Sequence, residues 1–137
     1  GGLVVTGVQT CALPISAMQK YGCGLLPYFP LASGLLTGKY KRTEMPEGAR
    51  LTDMPTFANR IYLTDDNFDI VDNLNKFAHK TGHSILELAF GWMASRPTTA
   101  SIIAGATKPE QIDANVAAVN WVLSQSEIDE VNKISAR

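Results

Sequence analysis

Cysteine is scarce: Cys11 and Cys23 are the only two in 137 residues. Two are too few for a disulfide framework, so a reducing, cytosolic setting is expected. Charge of one sign is missing too. Twelve Lys and Arg face thirteen Asp and Glu, a formal net charge of −1. That balance gives no broad field for drawing in nucleic acid. No apolar run approaches the ~18 residues of a membrane-spanning helix. There is no internal repeat and no low-complexity tract. With 45% hydrophobic and 18% charged residues, a disordered or collagen-like chain is excluded. A methionine start is also lacking: the chain opens Gly1-Gly2 and reads as a piece of something longer. What remains is globular composition at one-domain length, enough to bury a core.

The opening segment, residues 1–16 (GGLVVTGVQTCALPIS), stands apart. It has neither the positive n-region nor the long apolar stretch of a signal peptide. As structure it reads as a short strand and a turn. Val5 to Ile15, VTGVQTCALPI, resembles the in-frame translation of a common sequencing-library adapter. Residues 1–16 are therefore expected to be a non-native, adapter-derived segment and residues 17–137 the native part. On that expectation Cys23 is the sole native cysteine.

Ala17 to Tyr21 resembles a helix end stopped by Gly22. Gly24 to Phe29 (GLLPYF) suits a short buried parallel strand, although Pro27 offers no ladder hydrogen bond. Lys41 to Thr64 is punctuated by Pro46, Gly48 and Pro55 and reads as a long lid or binding loop. A helix is expected from Asp65, capped by Asp65 or Asp66, with Ile70, Leu74, Phe77 and Ala78 on one face and Gly82 as its stop. Ser84 and Glu87 form a capping box for a deeply packed helix over Ile85–Ala94, ended by Pro97. Ala100 to Ala104 (ASIIA) is a second buried strand. Thr107-x-x-Glu110 is another capping box, opening a helix through Val119. A last helix runs from Ser124 or Ser126 to about Ser135. Strands separated by helices indicate α/β architecture with parallel pairing. Two strands cannot form a stable parallel sheet covered on both faces, so the natural chain is expected to be a piece of something larger.

Residues 102–116, IIAGATKPEQIDANV, carry the clearest chemical signal. A strand ends at Gly105 and a helix opens, presenting unpaired N–H groups and the positive end of its dipole. Thr107 adds a hydroxyl and Lys108 a charge, which together make an anion site. Gln111 and Asn115, four apart, share a face suited to a ribose or heterocycle. From spacing alone these are equally a helix cap, a solvated lysine and two surface amides. The second cluster is GLLPYFPLASGLLTGKY, residues 24–40. Tyr28 lies near a strand's C-terminal end and could stack on a planar ligand, and Lys39 could reach a pyrophosphate. Core packing of Tyr28 and Phe29 and solvation of Lys39 fit the pattern too. His79 and His83 flank a helix end and read as surface histidines.

PYFPLASGLLTGKY and AGATKPEQIDANVAAV, in that order, resemble the C-terminal part of aldo-keto reductases, in the branch related to potassium-channel β subunits and bacterial oxidoreductases. The likeness covers about Ala17 to Ser135. It implies an α/β fold: the C-terminal fragment of a (β/α)8 TIM barrel, contributing the last two strands and their helices. It also implies NADP(H) as cofactor, with carbonyl or alcohol as small-molecule substrate. On this resemblance Tyr28 matches the aromatic against the nicotinamide. Phe29, Pro30, Leu31, Ala32 and Ser33 match the loop beneath the pyrophosphate, Lys39 a phosphate contact, and Arg50 an arginine of the loop that folds over the cofactor. Gly105, Thr107 and Lys108 match the 2′-phosphate pocket, and Gln111 and Asn115 the adenosine contacts. Phe29 stands where many relatives have serine, and Ala114 where many have glutamate. The family's catalytic aspartate, tyrosine, lysine and histidine precede anything present here, so this chain is expected to bind cofactor without catalysing, and to hold no metal. The expected activity of the whole protein is reduction of aldehydes or ketones by hydride transfer. The alternatives are an NADPH-sensing regulatory subunit and a free-standing nucleotide-binding module.

Overall fold

A computed structural model describes residues 12–53 and 61–136; residues 1–11, where most of the adapter-like segment falls, lie outside it. Helix α1 spans Ala12–Tyr21 and stops at Gly22, whose φ of 64° favours glycine. The strand and turn expected over residues 1–16 are corrected for residues 12–16, which form the first half of this helix. A 3-10 turn follows at Ala32–Thr37, then the single-turn helix α2 at Arg50–Asp53. Helix α3 covers Asp65–Lys80, α4 Ile85–Ala94, α5 Pro109–Ala118 and α6 Gln125–Ser135.

Local chemistry explains most of these boundaries. The N-cap of α3 is Thr64, not Asp65 or Asp66: Thr64 is extended and its Oγ1 accepts from Asn67 N at 3.2 Å. The two aspartates fill the first turn instead, where the helix dipole favours them. Ser84 and Glu87 close the expected box on α4, and Ser124 with Glu127 closes one on α6. The core lies where α3, α4 and α6 meet, with Leu74, Ala78, Ile85, Leu88, Leu123 and Val131 buried together. Helix α4 packs on α3 and on α5, and α3 packs on α6.

The two expected strands are extended segments joined by one parallel bridge, Leu25 to Thr99. Leu25 N donates to Thr98 O at 2.6 Å and Ala100 N to Leu25 O at 2.9 Å. The pairing is parallel, as the alternation of elements requires. It stops there because the next donor on that edge would be Pro27, which has none. Gly24 admits the approach: a Cβ on it would lie 2.6 Å from Ala100 Cβ. The expected burial is corrected. Leu26, Tyr28 and Ile103 are exposed, because no further strand or helix of the described residues covers that face.

Candidate functional site

The PYFPLASG stretch folds into a turn of unusual backbone. Phe29, Ala32 and Ser33 have φ of 52°, 53° and 57°, and Gly34 follows at 94°. Left-handed geometry at a side-chain-bearing residue costs on the order of 1–3 kcal/mol, and such strain concentrates at ligand-holding turns. The turn is fixed by Ala32 N donating to Phe29 O and Gly34 N to Leu31 O, both 2.8 Å. Ala32 and Leu35 are buried beneath it.

Two cations converge on this turn. Lys39 lies against it: a Cβ on Gly34 would sit 2.9 Å from Lys39 Cε and 3.2 Å from its Nζ. The Arg50 guanidinium stands 5.9 Å from the centroid of the Phe29 ring. Neither cation has an ion pair among the described residues. Arg50 is delivered there by its neighbour. Leu51 is fully buried, and its N–H donates to the Tyr40 hydroxyl at 3.0 Å. Tyr40 and Leu51 are positioning residues that the sequence pattern did not single out; an isolated Leu directly after Arg50 in a polar loop was the available signal. Tyr28, 80% exposed, packs its ring 4.2 Å from that of Phe29. Tyr28, Phe29, Pro30 and Ala32 border an apolar cavity of about 290 Å³ that Trp92 and Met93 also line. The first cluster is therefore brought together: Tyr28 to Ser33, with Lys39 and Arg50.

The second cluster differs from expectation. Gly105, Thr107 and Lys108 are exposed at the start of α5. Lys108 is the N-cap position and Pro109 the first helical residue. The Thr107–Glu110 box does not form. Instead the Gln111 Oε1 accepts from Thr107 N at 2.7 Å, Thr107 Oγ1 at 3.2 Å and Lys108 N at 3.2 Å. Pro109 has no N–H to offer, and glutamine three residues beyond Lys108 has the reach to satisfy both preceding donors. Gln111 is thus turned back on the helix start rather than along a face shared with Asn115. Asn115 is half-buried and lines an open cleft of about 480 Å³ between residues 99–106 and α5. The cavity and the cleft share only Thr99 among their lining residues, so the two clusters lie in separate depressions.

The reading of His83 as a surface histidine is also corrected. Its ring stacks on Trp121, with centroids 3.9 Å apart and planes at 9°, and its Nδ1 lies 3.1 Å from Glu87 Oε1. Glu87 is held down to about 2, first by the Ser84 backbone N–H and then by His83 and the Ser84 hydroxyl. No group of three or more His, Cys, Asp or Glu able to hold a metal occurs among the described residues. No helix among them is long and apolar enough to cross a membrane.

The strained turn thus gathers two cations without an acidic partner among the described residues, and a separate turn at the start of α5 sets three donors around one acceptor oxygen. Comparison with known proteins gives the family. Residues 14–136 match the Aldo/keto reductase family, and the chain belongs to it. It is 39% identical over 131 residues to a probable voltage-gated potassium channel subunit beta of Oryza sativa subsp. japonica, covering 93% of this chain and 39% of that one. An L-glyceraldehyde 3-phosphate reductase of Escherichia coli O157:H7 is 33% identical over 112 residues, covering 77% of this chain and 31% of that one. Among solved structures, a glycerol dehydrogenase of Gluconobacter oxydans superposes with a TM-score of 0.68 at 29% identity, covering 89% of this chain and 37% of that one. The chain thus spans under two-fifths of the length of each.

Proposed function

We propose that this chain is the C-terminal part of a (β/α)8-barrel, NADP(H)-dependent aldo-keto reductase, with residues 17–137 supplying the last two strands and their helices. The whole protein reduces aldehydes or ketones to alcohols. The observation that carries the reading is the convergence of Lys39 and Arg50, both without an acidic partner, on the left-handed turn at residues 29–34. When bound, the nicotinamide cofactor supplies the hydride. The chain's own residues bind and orient. Lys39 and Arg50 neutralise the pyrophosphate against the turn. Tyr28, exposed and backed by Phe29, offers its face to a planar ring. The three donors around Gln111 Oε1 form a cradle for one oxygen, and a 2′-phosphate oxygen fits it by displacing that amide. Lys108 would then add a charge-assisted contact, and Asn115, which lines the cleft, would hold the adenosine end. The proton-transfer residues belong to the rest of the barrel, and the 137-residue chain alone is expected to show no carbonyl-dependent NADPH oxidation.

Reductases and a dehydrogenase among the relatives favour catalysis over redox sensing. The cofactor's phosphate is a genuine fork, since an NADH-specific methylglyoxal reductase of Escherichia coli (strain K12) is 35% identical over 104 residues, covering 73% of this chain and 30% of that one. The balanced charge fits a cytoplasmic protein that leaves nucleic acid alone. Lys108→Ala in the full-length protein carrying this segment tests the assignment. Loss of a charge-assisted contact weakens NADPH about tenfold or more. NADH affinity should hardly move; equal losses for both cofactors, read by fluorescence titration, would remove Lys108 from the 2′-phosphate.

A further inference from the structure

We propose that the apolar cavity bordered by the left-handed turn takes a small monocarboxylate with an apolar tail, its head group held by Arg96 and Thr98. The body of the site is hydrocarbon. Leu74 of α3, Leu88, Trp92 and Met93 of α4, and Val131 of α6 line it, and Phe29 belongs to the wall it shares with the turn. Its volume is about 290 Å³. An apolar cavity of about 150 Å³ takes a benzene, so this one has room for roughly ten heavy atoms. Pockets of this kind carry a small number of polar groups that orient the ligand.

Two polar groups in the lining residues have no partner. Arg96 Nη2 and Thr98 Oγ1 are buried, and neither has a hydrogen bond among the described residues. Thr98 is 5% exposed. Native interiors leave few such groups unmatched, because their lost hydration is then uncompensated. The backbone beneath them is fixed: Thr98 O accepts from Leu25 N at 2.6 Å, and Arg96 O from Thr99 N at 3.0 Å. Arg96 also lacks an anion, with no carboxylate at ion-pair distance among the described residues. Burial pushes its guanidinium below the ordinary arginine value, and the charge of Asp129 opposes this in smaller part. The guanidinium rests 4.3 Å from the centroid of the Trp92 ring and gives one long bond, from Nε to Trp92 O at 3.5 Å. Its free edge can therefore turn toward the cavity without giving up a strong hydrogen bond. A carboxylate fits the pair: it accepts from Nη2 and from the Thr98 hydroxyl together and brings the missing negative charge. A water would match the two donors but leave the charge unpaired and the hydrocarbon volume unfilled.

The site does not depend on the function proposed above. Calorimetry on the 137-residue chain tests it with octanoate, octanamide and acetate. Octanoate should bind, and octanamide should bind about tenfold or more weakly for want of charge-assisted bonds. Acetate, with no tail to bury, should not bind measurably. Arg96→Met keeps an apolar stem and removes the charge; it should weaken octanoate about tenfold and leave octanamide unchanged. Thr98→Val removes the hydroxyl at the same shape and should weaken octanoate by a smaller factor. Nuclear Overhauser contacts from the octanoate tail should fall on the Leu74 and Leu88 methyls and the Trp92 ring. Absent octanoate binding, equal affinity for octanoate and octanamide, or indifference to Arg96→Met overturns the site. So do tail contacts to the exposed Ile112 and Val116 of α5 in place of the cavity. Should Arg96→Met fail to fold, the comparison of octanoate with octanamide on the unaltered chain decides alone.

Discussion

Helices α3 and α5 both begin at well-satisfied N-termini and both carry an apolar stripe, yet they are held in different ways. Helix α3 buries Asn67, Phe68, Ile70, Val71, Leu74 and Ala78 and packs on both α4 and α6. Helix α5 buries Ala118 alone, although Ile112, Val116 and Val119 recur at the spacing of a sheet-facing surface. An amphipathic pattern states which face wants cover and is silent on whether cover is present. Opposite α5 there is one extended segment with a single bridge, so its stripe remains in the open cleft. The two candidate turns differ accordingly: the left-handed turn at residues 29–34 includes a buried Ala32 and runs into a buried Leu35, while the Thr107–Lys108 turn opens a helix that packs on α4 but buries only Ala118.

Paired truncations break or keep this contrast most sharply. Leu88, 2% exposed, touches the core shared by α3, α4 and α6. Leu88→Ala should cost about 2–5 kcal/mol, the transfer loss plus the cavity left behind. Val116→Ala should stay within about 0.5 kcal/mol, because it removes surface that water already reaches. Urea denaturation of the two variants measures both. Similar losses would mean that α5 is packed as firmly as α3.

The next effect is electrostatic and belongs to the firm side. Glu87 is lowered from 4.5 to about 2, by the Ser84 N–H first and His83 next. A carboxyl whose folded value lies below its unfolded one stabilises the fold above the unfolded value, and that stabilisation drains as pH falls toward the folded value. Glu87→Gln should therefore lower stability at neutral pH, with the gap to the unaltered protein closing between pH 4.5 and about 2. A gap that stays constant through that window would deny the carboxylate its role as cap and ring-holder. Glu87 lies three residues from Ser84 and four from His83, so this one side chain couples helix capping to the placement of the His83 ring.

What could be read from the chain follows the range of the interaction. The Ser84–Glu87 and Ser124–Glu127 boxes are complete within four residues, and local chemistry determines them. Thr64, Asp65 and Asp66 are all competent caps, and only the extended backbone at Thr64 chooses among them. Residues 28–33 come together because their turn geometry is local, whereas Arg50 arrives from a loop anchored by Leu51. The second cluster's internal bonding was not legible, since Glu110 and Gln111 compete for the same donors and Pro109 tips the balance. The parallel bridge and its early end are both in the sequence, the latter as Pro27. The His83–Trp121 stack is not, because it joins residues far apart in sequence and no pattern near either predicts the other.

The smallest expected effect sharpens the contrast at its weakest point. Gln111 satisfies two backbone donors at the start of α5, a helix whose one buried residue, Ala118, lies at its far end. Gln111→Ala should cost about 1 kcal/mol, as loss of an N-terminal cap does. On the firmly packed α3 a comparable loss spreads into global unfolding; on α5 it should appear as local fraying. Hydrogen exchange separates the two outcomes: amides of Gln111→Ala should lose protection in α5 with those of α3 unchanged. The same change empties the three-donor cradle of its internal acceptor. Inorganic phosphate should then restore part of the α5 protection, since a bound anion replaces the missing oxygen at the helix start. Fraying shared equally by both helices, or no recovery with phosphate, would show that the Gln111 amide is an ordinary cap and that the turn holds no place for an anion.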